Sequence, residues 1–497
     1  MVNPNRNLSI DSFSALKTRS YVVNSKVIRK YILRMINSDS DSMVADYRTR
    51  SYYIRRRNFL WIDRHGVDER ADKLMAYLQT VDEMGFSRDK FRVAAIEKDL
   101  QCLRSLDVAD SSENNINKVY ARLEYNLTKA YLRYVTGQRF GFVNPQDVFN
   151  RLDVKDRDSS HVSYRGLFDI NMQLPKRIFF AVAIRKICND SVGEFLRSVQ
   201  PKSPLYARLK AMLNDGKVSG SERPRIMCNM ERCRWRLSDY PAMHKKFVLV
   251  NIPSFRLLAK DDNDSLWMRI VCGTFDTKTP LLTSMIMRMD VNPQWVIPRS
   301  IIEKDILRHA GNKGYFDSHH FFVRDRRTGK KIDPCHVTWA MLNSKDYLVM
   351  QEGGEGNSLG RIIFRFDNNF SVFMHDTSAK DVFSRDIRGI SHGCIRVEKP
   401  FDLAVFMLKE KNEEIIDKIK YSMNADVSSY GKKKIGGANI TDTLDRSKLV
   451  NSIAVIPQIP IFITYFTLYP STNGKLSEYA DVYGYDHAIY CHLRNYR

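Results

Sequence analysis

In the first half of the chain, apolar residues recur at three- and four-residue spacing, the period of helices that bury one face. The pattern predicts helices at 71–84 (ADKLMAYLQTVDEM), at 119–134 (VYARLEYNLTKAYLRY), at 179–187, and in the segment KFRVAAIEKDLQCLRSL that follows Asp89. Residues 45–224 therefore read as one all-helical domain, with 1–44 as an N-terminal extension. The stretch NDGKVSGSERP (214–224) is rich in Gly, Ser and charge, has no period, and marks the boundary. Beyond it the period falls toward two. KFVLVNIPSFRLL (246–258) and LWMRIVC (266–272) read as two strands joined through the polar run 260–265. RIIFRF (361–366) and FSVFMH (370–375) flank Asp367, Asn368 and Asn369, residue types that favour turns, and so read as a second hairpin. Between the strand pairs, residues 301–358 are rich in charge and His and end in QEGGEGNS, a segment suited to a cap over the sheet. A helix over 401–423 and a strand over 461–468 complete an α+β chain whose second domain spans 225–497.

Composition narrows the class. The chain has 497 residues, enough for two to four domains. With 43% hydrophobic residues and 11% aromatics, it has too much apolar surface to remain disordered. The longest apolar stretch, 459–468, is too short for a transmembrane helix and is bracketed by Pro457, Pro460 and Pro470. MVNPNRNLSI has no apolar core of a secretion signal, which leaves a cytoplasmic chain or a mature chain whose signal has been removed. Eight cysteines lie scattered without CxxC pairs, so neither a zinc ribbon nor a disulfide framework is indicated. The net charge of +22 points to a polyanionic partner: nucleic acid, an anionic membrane surface or a carboxylate-rich polymer. No helix-turn-helix, zinc-finger or RNA-recognition signature accompanies it.

Chemistry concentrates in HDTSAKDVFSRDIRGISHGCIR, residues 375–396. Cys394 follows Ser391, His392 and Gly393. A glycine at that point lets the backbone turn sharply and aim N–H groups at a developing oxyanion. His375 ends a predicted strand, a rigid position for an imidazole that deprotonates a thiol. Two plainer readings remain open on these residues alone. Cys394 can be a buried small hydrophobe with the histidines satisfying local hydrogen bonds, or His375, His392 and Cys394 can be metal ligands, although no fourth ligand stands nearby at a usual spacing.

His375 with Asp376 and Thr377, the fifteen residues 376–390, and then SHGCIR together resemble the catalytic motif of L,D-transpeptidases with a YkuD-type domain. NMERCRW (229–235), FVLVNIPSFRL (247–257), NPQWVIP (292–298), NSLGRIIF (357–364) and DVYGYD (481–486) extend the resemblance to the multi-domain, YcbB-like Gram-negative branch. FLWIDRHG (59–66) and LTKAYLRYVTGQRFG (127–141) resemble that branch's helical scaffold domain. Three departures stand out. Only the short segment 214–225 occupies the place of a peptidoglycan-binding module. Cys233 and Cys335 sit where relatives can carry Trp. Phe373 replaces a Tyr often found two positions before the base.

The resemblance implies a mostly β catalytic domain with an inserted cap subdomain over 301–358. It also implies a periplasmic enzyme of cell-wall biogenesis that needs no cofactor and no metal. Its partners would be peptidoglycan stem peptides and other wall-synthesis proteins, with carbapenem β-lactams as covalent inhibitors and nucleic acid excluded. Cys394 would attack the carbonyl of meso-diaminopimelate in a tetrapeptide stem, release the terminal D-alanine, and pass the acyl group to a neighbouring stem as a 3-3 cross-link. His375 would be the base, the backbone around Gly393 and Cys394 the oxyanion hole, and Ser391 and His392 the residues that shape the loop. Arg396, Phe373, Asp376, Arg361 and Trp339 are the candidate substrate contacts. The helical domain would contribute no chemistry. The same nucleophile also serves relatives that hydrolyse stems or attach lipoproteins to the wall, and a non-catalytic basic wall- or nucleic-acid-binding protein is a distant alternative.

Overall fold

The computed structural model describes residues 22–55, 57–63, 66–108, 113–157, 161–262, 264–425, 427 and 444–497. The first 21 residues of the expected extension 1–44, and Arg64 and His65 of FLWIDRHG, lie outside the described residues.

The first half is helical. Helices α1 (Ser25–Ser38), α2 (Val44–Ile54), α3 (Glu69–Leu78) and α4 (Val93–Arg104) pack on a long helix α5 (Ile116–Phe140), followed by α6 (Arg177–Cys188), α7 (Val192–Ser198), α8 (Pro204–Leu213) and α9 (Arg223–Arg234). Ile28, Ile32 and Ile36, one turn apart, form the buried stripe of α1. This helix falls inside the expected extension yet packs on α5. Helix α5 is buried nearly all round and carries Glu124, Lys129 and Arg133 into the interior. Each has partners. Glu124 accepts from the Tyr53 hydroxyl and from the N–H groups of Leu60, Trp61 and Ile62. Lys129 and Arg133 meet Asp39, Asp41 and Asp46. Short strand pairs at Ile62–Asp63 with Gly66–Val67 and Val154–Arg157 with Val162–Tyr164 interrupt the helical pattern. They are too brief for hydrophobic alternation to announce.

The second half is built on a closed sheet. Strand β1 (Phe168–Asp169), contributed by the helical half, lies beside β5; the remaining strands are β2 (Lys246–Asn251), β3 (Arg256–Asp261), β4 (Asp264–Gly273), β5 (Leu281–Val291), β10 (Ile362–Phe366), β11 (Met374–His375), β12 (Gly389–Ser391), β13 (Ile395–Val397) and β14 (Ser452–Thr464). Four more, β6 (Trp295–Val296), β7 (Phe321–Asp325), β8 (Lys331–Ile332) and β9 (Tyr347–Gln351), form a separate sheet. The main order is β10-β11-β13-β4-β3-β2-β14-β5-β1, and pairing of β10 with β5, from Ile362 opposite Val291, closes the circle. Closure removes the exposed edges of an open sheet. In β2, Val248 and Val250 enter the main core, while Phe247 and Leu249 pack outside against Phe462. Both faces are thus covered, which explains the run of apolar residues without polar alternation.

Three expected elements differ. The strand predicted over 246–258 is a hairpin: Pro253 offers no N–H to a ladder, and Phe255 adopts a φ of 48° at the turn. The 260–265 connection is a hairpin as expected, pairing β3 with β4. Of the strand predicted over 370–375, only Met374 and His375 pair with β10, because the Asn368 side chain holds 366–372 in a loop by accepting from Phe370 N and Val372 N. The helix predicted over 401–423 is two, α10 (Pro400–Met407) and α11 (Glu413–Asn424), the second capped by Asn412.

In place of the cap expected over 301–358 stands an excursion between β5 and β10, neighbours in the closed sheet, that already includes β6 (Trp295–Val296). Its sheet, ordered β6-β9-β7-β8, encloses its own core of Ile297, Ile302, Ile306, Phe316, Phe321, Val323, Val337, Leu342 and Val349. Helix α12 (Tyr485–Leu493) returns against α9. There Arg232 pairs with Asp486, and Asn229 bonds Thr467 and Leu468.

Candidate active site

Strands β11 and β13 run parallel, with Met374 opposite Ile395 and His375 opposite Arg396. Side chains alternate along a strand, so Cys394 and Arg396 share a face with His375, and Phe373 joins them one step before β11. The Phe373 carbonyl accepts from Ile395 N at 3.1 Å, which extends the register. The Phe373 and His375 rings lie 5.7 Å apart.

His375 is buried, and its Nδ1 bonds the Asp376 carbonyl. With the Nδ1 proton committed there, Nε2 is the nitrogen left to accept a proton. Burial, and then the charge of Arg396, lower its pKa to about 4, against the opposing pull of the Asp376 and Leu359 carbonyls. The imidazole is therefore neutral near pH 7, the form a base needs. Burial pushes the Cys394 thiol above its ordinary value, while the Phe373 N–H and the Arg396 charge favour the thiolate. Burial thus favours the neutral form of both groups, the thiol of Cys394 and the imidazole of His375. Arg396 carries a buried Nε without a hydrogen-bond partner among the described residues, and desolvation lowers its own pKa. Such a donor beside the thiol suits a substrate carboxylate or carbonyl oxygen.

The loop before Cys394 is held from several sides. Gly393 has φ 116°, a region that side chains avoid, and is buried. Ser391 is buried; its hydroxyl donates to the Cys394 carbonyl at 2.6 Å and accepts from Gly393 N at 3.1 Å. His392 is exposed. Asp376 turns its carboxylate away from His375: Oδ2 accepts from Arg361 N at 2.8 Å, and Lys380 pairs with Oδ1. The Arg361 guanidinium donates to Asn292 Oδ1 and the Ala425 carbonyl. Trp339 stands on the short cap helix Trp339–Asn343 with 58% of its surface exposed. Phe373, His375, Cys394 and Arg396 thus come together, whereas the Arg361 guanidinium is committed elsewhere.

Other contributors escaped sequence reasoning. Thr277 Oγ1 donates to the Ser391 carbonyl, and Thr279 Oγ1 donates to the Gly393 carbonyl, each at 2.8 Å. The Tyr483 hydroxyl donates to Gly273 O and accepts from Thr279 N. Tyr483 lies in DVYGYD, a string already singled out, but nothing in it indicated a contact with the segment 273–279. The cap's Gln351 bonds Ser358 N, and Asn357 bonds the Glu352 and Pro293 carbonyls, which shapes the turn that brings the Leu359 carbonyl toward His375.

Residues 47–213 match the Scaffold domain family, and residues 245–416 match the L,D-transpeptidase catalytic domain, YkuD. A putative L,D-transpeptidase of Haemophilus influenzae is 28% identical over 304 residues, 61% of this chain and 56% of that protein, so the match spans little more than half of the relative. An L,D-transpeptidase from Mycobacterium smegmatis is 14% identical with a TM-score of 0.19, over 33% of this chain and 53% of that one. A structure described as the Ldtfm-avibactam carbamoyl enzyme is 12% identical with a TM-score of 0.20, over 39% of this chain and 61% of that one. The chain thus carries a YkuD-type L,D-transpeptidase catalytic domain over 245–416 preceded by a Scaffold domain over 47–213, a YcbB-like architecture.

Proposed function

We propose that the chain catalyses acyl transfer on peptidoglycan stem peptides in the periplasm, through a thioester on Cys394, and makes 3-3 cross-links. The observation that carries this reading is the common face of Cys394, His375 and Arg396 on paired strands. Cys394 attacks the carbonyl of meso-diaminopimelate as its thiol proton passes to His375 Nε2. N–H groups around Gly393 and Cys394 receive the oxyanion, and the proton goes on to the departing D-alanine amine. The amine of a second stem then attacks the thioester, losing a proton to His375 and restoring the thiol. Arg396 holds a substrate oxygen through its free Nε, Phe373 lines the floor, and Trp339 and Asp376 act at the rim and in the support of the base strand. Ser391 and His392 shape the loop. The units 225–497 for catalysis, 45–224 for scaffolding, 1–44 as an extension and 301–358 as cap are part of the same proposal.

The test is incubation with disaccharide-tetrapeptide, followed by mass spectrometry of products and protein. The expected products are dimers and free D-alanine, with a transient adduct on Cys394; neither should form with Cys394→Ala. Undiminished dimer formation by that variant would sink the proposal. Released tripeptide without dimer in the presence of acceptor would show hydrolysis instead. A carbapenem should also leave its mass on Cys394.

A further inference from the structure

The loop 273–279 holds the carbonyls of both Ser391 and Gly393 through Thr277 and Thr279, and the residue between these threonines is Lys278. Lys278 is only 5% exposed. Its ammonium meets both carboxylate oxygens of Asp153, at 2.8 and 2.7 Å. Asp153 belongs to the helical half of the chain, before the strand Val154–Arg157. A second strut comes from the same segment, where the Arg165 guanidinium donates to the Asp276 carbonyl. The segment is itself anchored: Arg165 N donates to the Asp153 carbonyl, Asn150 Oδ1 accepts from Leu167 N and Phe168 N, and β1 pairs with β5 from Phe168 opposite Leu281.

We infer that Asp153 is a positioning residue for the nucleophile loop, acting through Lys278 on the two threonines that hold Ser391 and Gly393. Asp153 and Arg165 then complete the loop before Cys394, and the helical half has a part in the chemistry that its sequence does not suggest. Physically, a buried ammonium needs a fixed carboxylate. Without it, Lys278 turns toward solvent and pulls the adjacent threonines off the carbonyls they hold. The inference rests on Cys394 being the nucleophile only for its catalytic consequence; the mechanical link stands apart from that reading.

The experiment uses the full chain with Asp153→Asn and Asp153→Glu. In hydrogen exchange, Asp153→Asn should speed exchange in the peptide 389–397 at least ~10-fold and leave 246–261 unchanged, with Asp153→Glu close to the parent. In acyl transfer from tetrapeptide, Asp153→Asn should lower kcat at least ~10-fold and keep KM within about twofold, and Asp153→Glu should recover most of the loss. Unchanged exchange at 389–397 in Asp153→Asn would overturn the inference, as would equal losses of kcat in the Asn and Glu variants. A parent chain that forms no Cys394 adduct would overturn the nucleophile reading, and the exchange measurement would still decide the link between Asp153 and the loop.

Discussion

Arg396 acts on Cys394 and His375 with one charge and two chemical consequences. It favours the thiolate of Cys394 and disfavours the imidazolium of His375, so both groups are pushed toward their deprotonated forms. Replacing it with Met at equal length should raise both pKa values. Iodoacetamide labelling of Cys394 at pH 8 is expected to slow ~3- to 10-fold, the size of a shift of half a unit to one unit. The His375 titration followed by NMR should move upward from about 4. A slower label with an unmoved histidine would mean that Arg396 acts on the thiol alone. His375 also makes the fold pH-dependent. Its folded pKa lies below the ordinary 6.5, so the unfolded chain binds the extra proton between the two values. Its contribution to stability is complete above about 6.5 and is lost as pH falls through about 4. The parent should therefore lose more stability than His375→Gln between pH 7 and 4 in urea titrations.

At the scale of elements, helix α5 and the cap show two ways of holding an interior. Helix α5 carries buried charges and depends on their partners. Burial opposes the charge of Asp41, yet hydrogen bonds from Lys129 and the charge of Arg133 hold its carboxyl well below the usual range. Arg133 also bonds the fully buried Asp46. Arg133→Met removes one partner and strands the other, and is expected to cost about 3–5 kcal/mol in chemical denaturation. The cap instead relies on a small apolar core separate from that of the barrel. Phe316 is fully buried there, and Phe316→Ala should cost the cap about 3–5 kcal/mol. Hydrogen exchange should show faster opening of 321–325 and 347–351 with 246–261 unaffected. Equal acceleration in the barrel strands would mean that the two cores unfold as one.

The whole molecule joins its halves through contacts far apart in sequence. Helix α9 bonds Thr467 and Leu468 through Asn229 and pairs Arg232 with Asp486, while β1 leaves the helical half to lie beside β5. The Cys233 thiol in the same helix is pushed up to about 12 by burial. Among the described residues, no helix is long and apolar enough to cross a membrane, and no group of His, Cys, Asp and Glu is arranged to hold a metal ion. The charge of +22 remains a whole-chain property, which under the proposed function acts through attraction to anionic wall polymers. Binding to isolated sacculi should weaken steeply between low and physiological salt, because screening shortens the reach of exposed charge. Salt-insensitive binding would remove the charge from the account.

By itself the sequence determined the helical first half, the β second half and the string in which the candidate residues His375 and Cys394 stand. These are local: hydrophobic period is written residue by residue, and His375 and Cys394 fall in one short string whose neighbours carry the chemistry. Tertiary structure alone decided the rest. The Leu359 and Asp376 carbonyls that face His375 are backbone groups, and every residue type supplies one. Closure of β10 on β5 is a matter of register across the cap. Asp153 and Lys278 are ordinary charged residues, 125 positions apart in sequence, until folding brings them together. Side-chain identity names the groups that react, and long-range geometry chooses the groups that hold them.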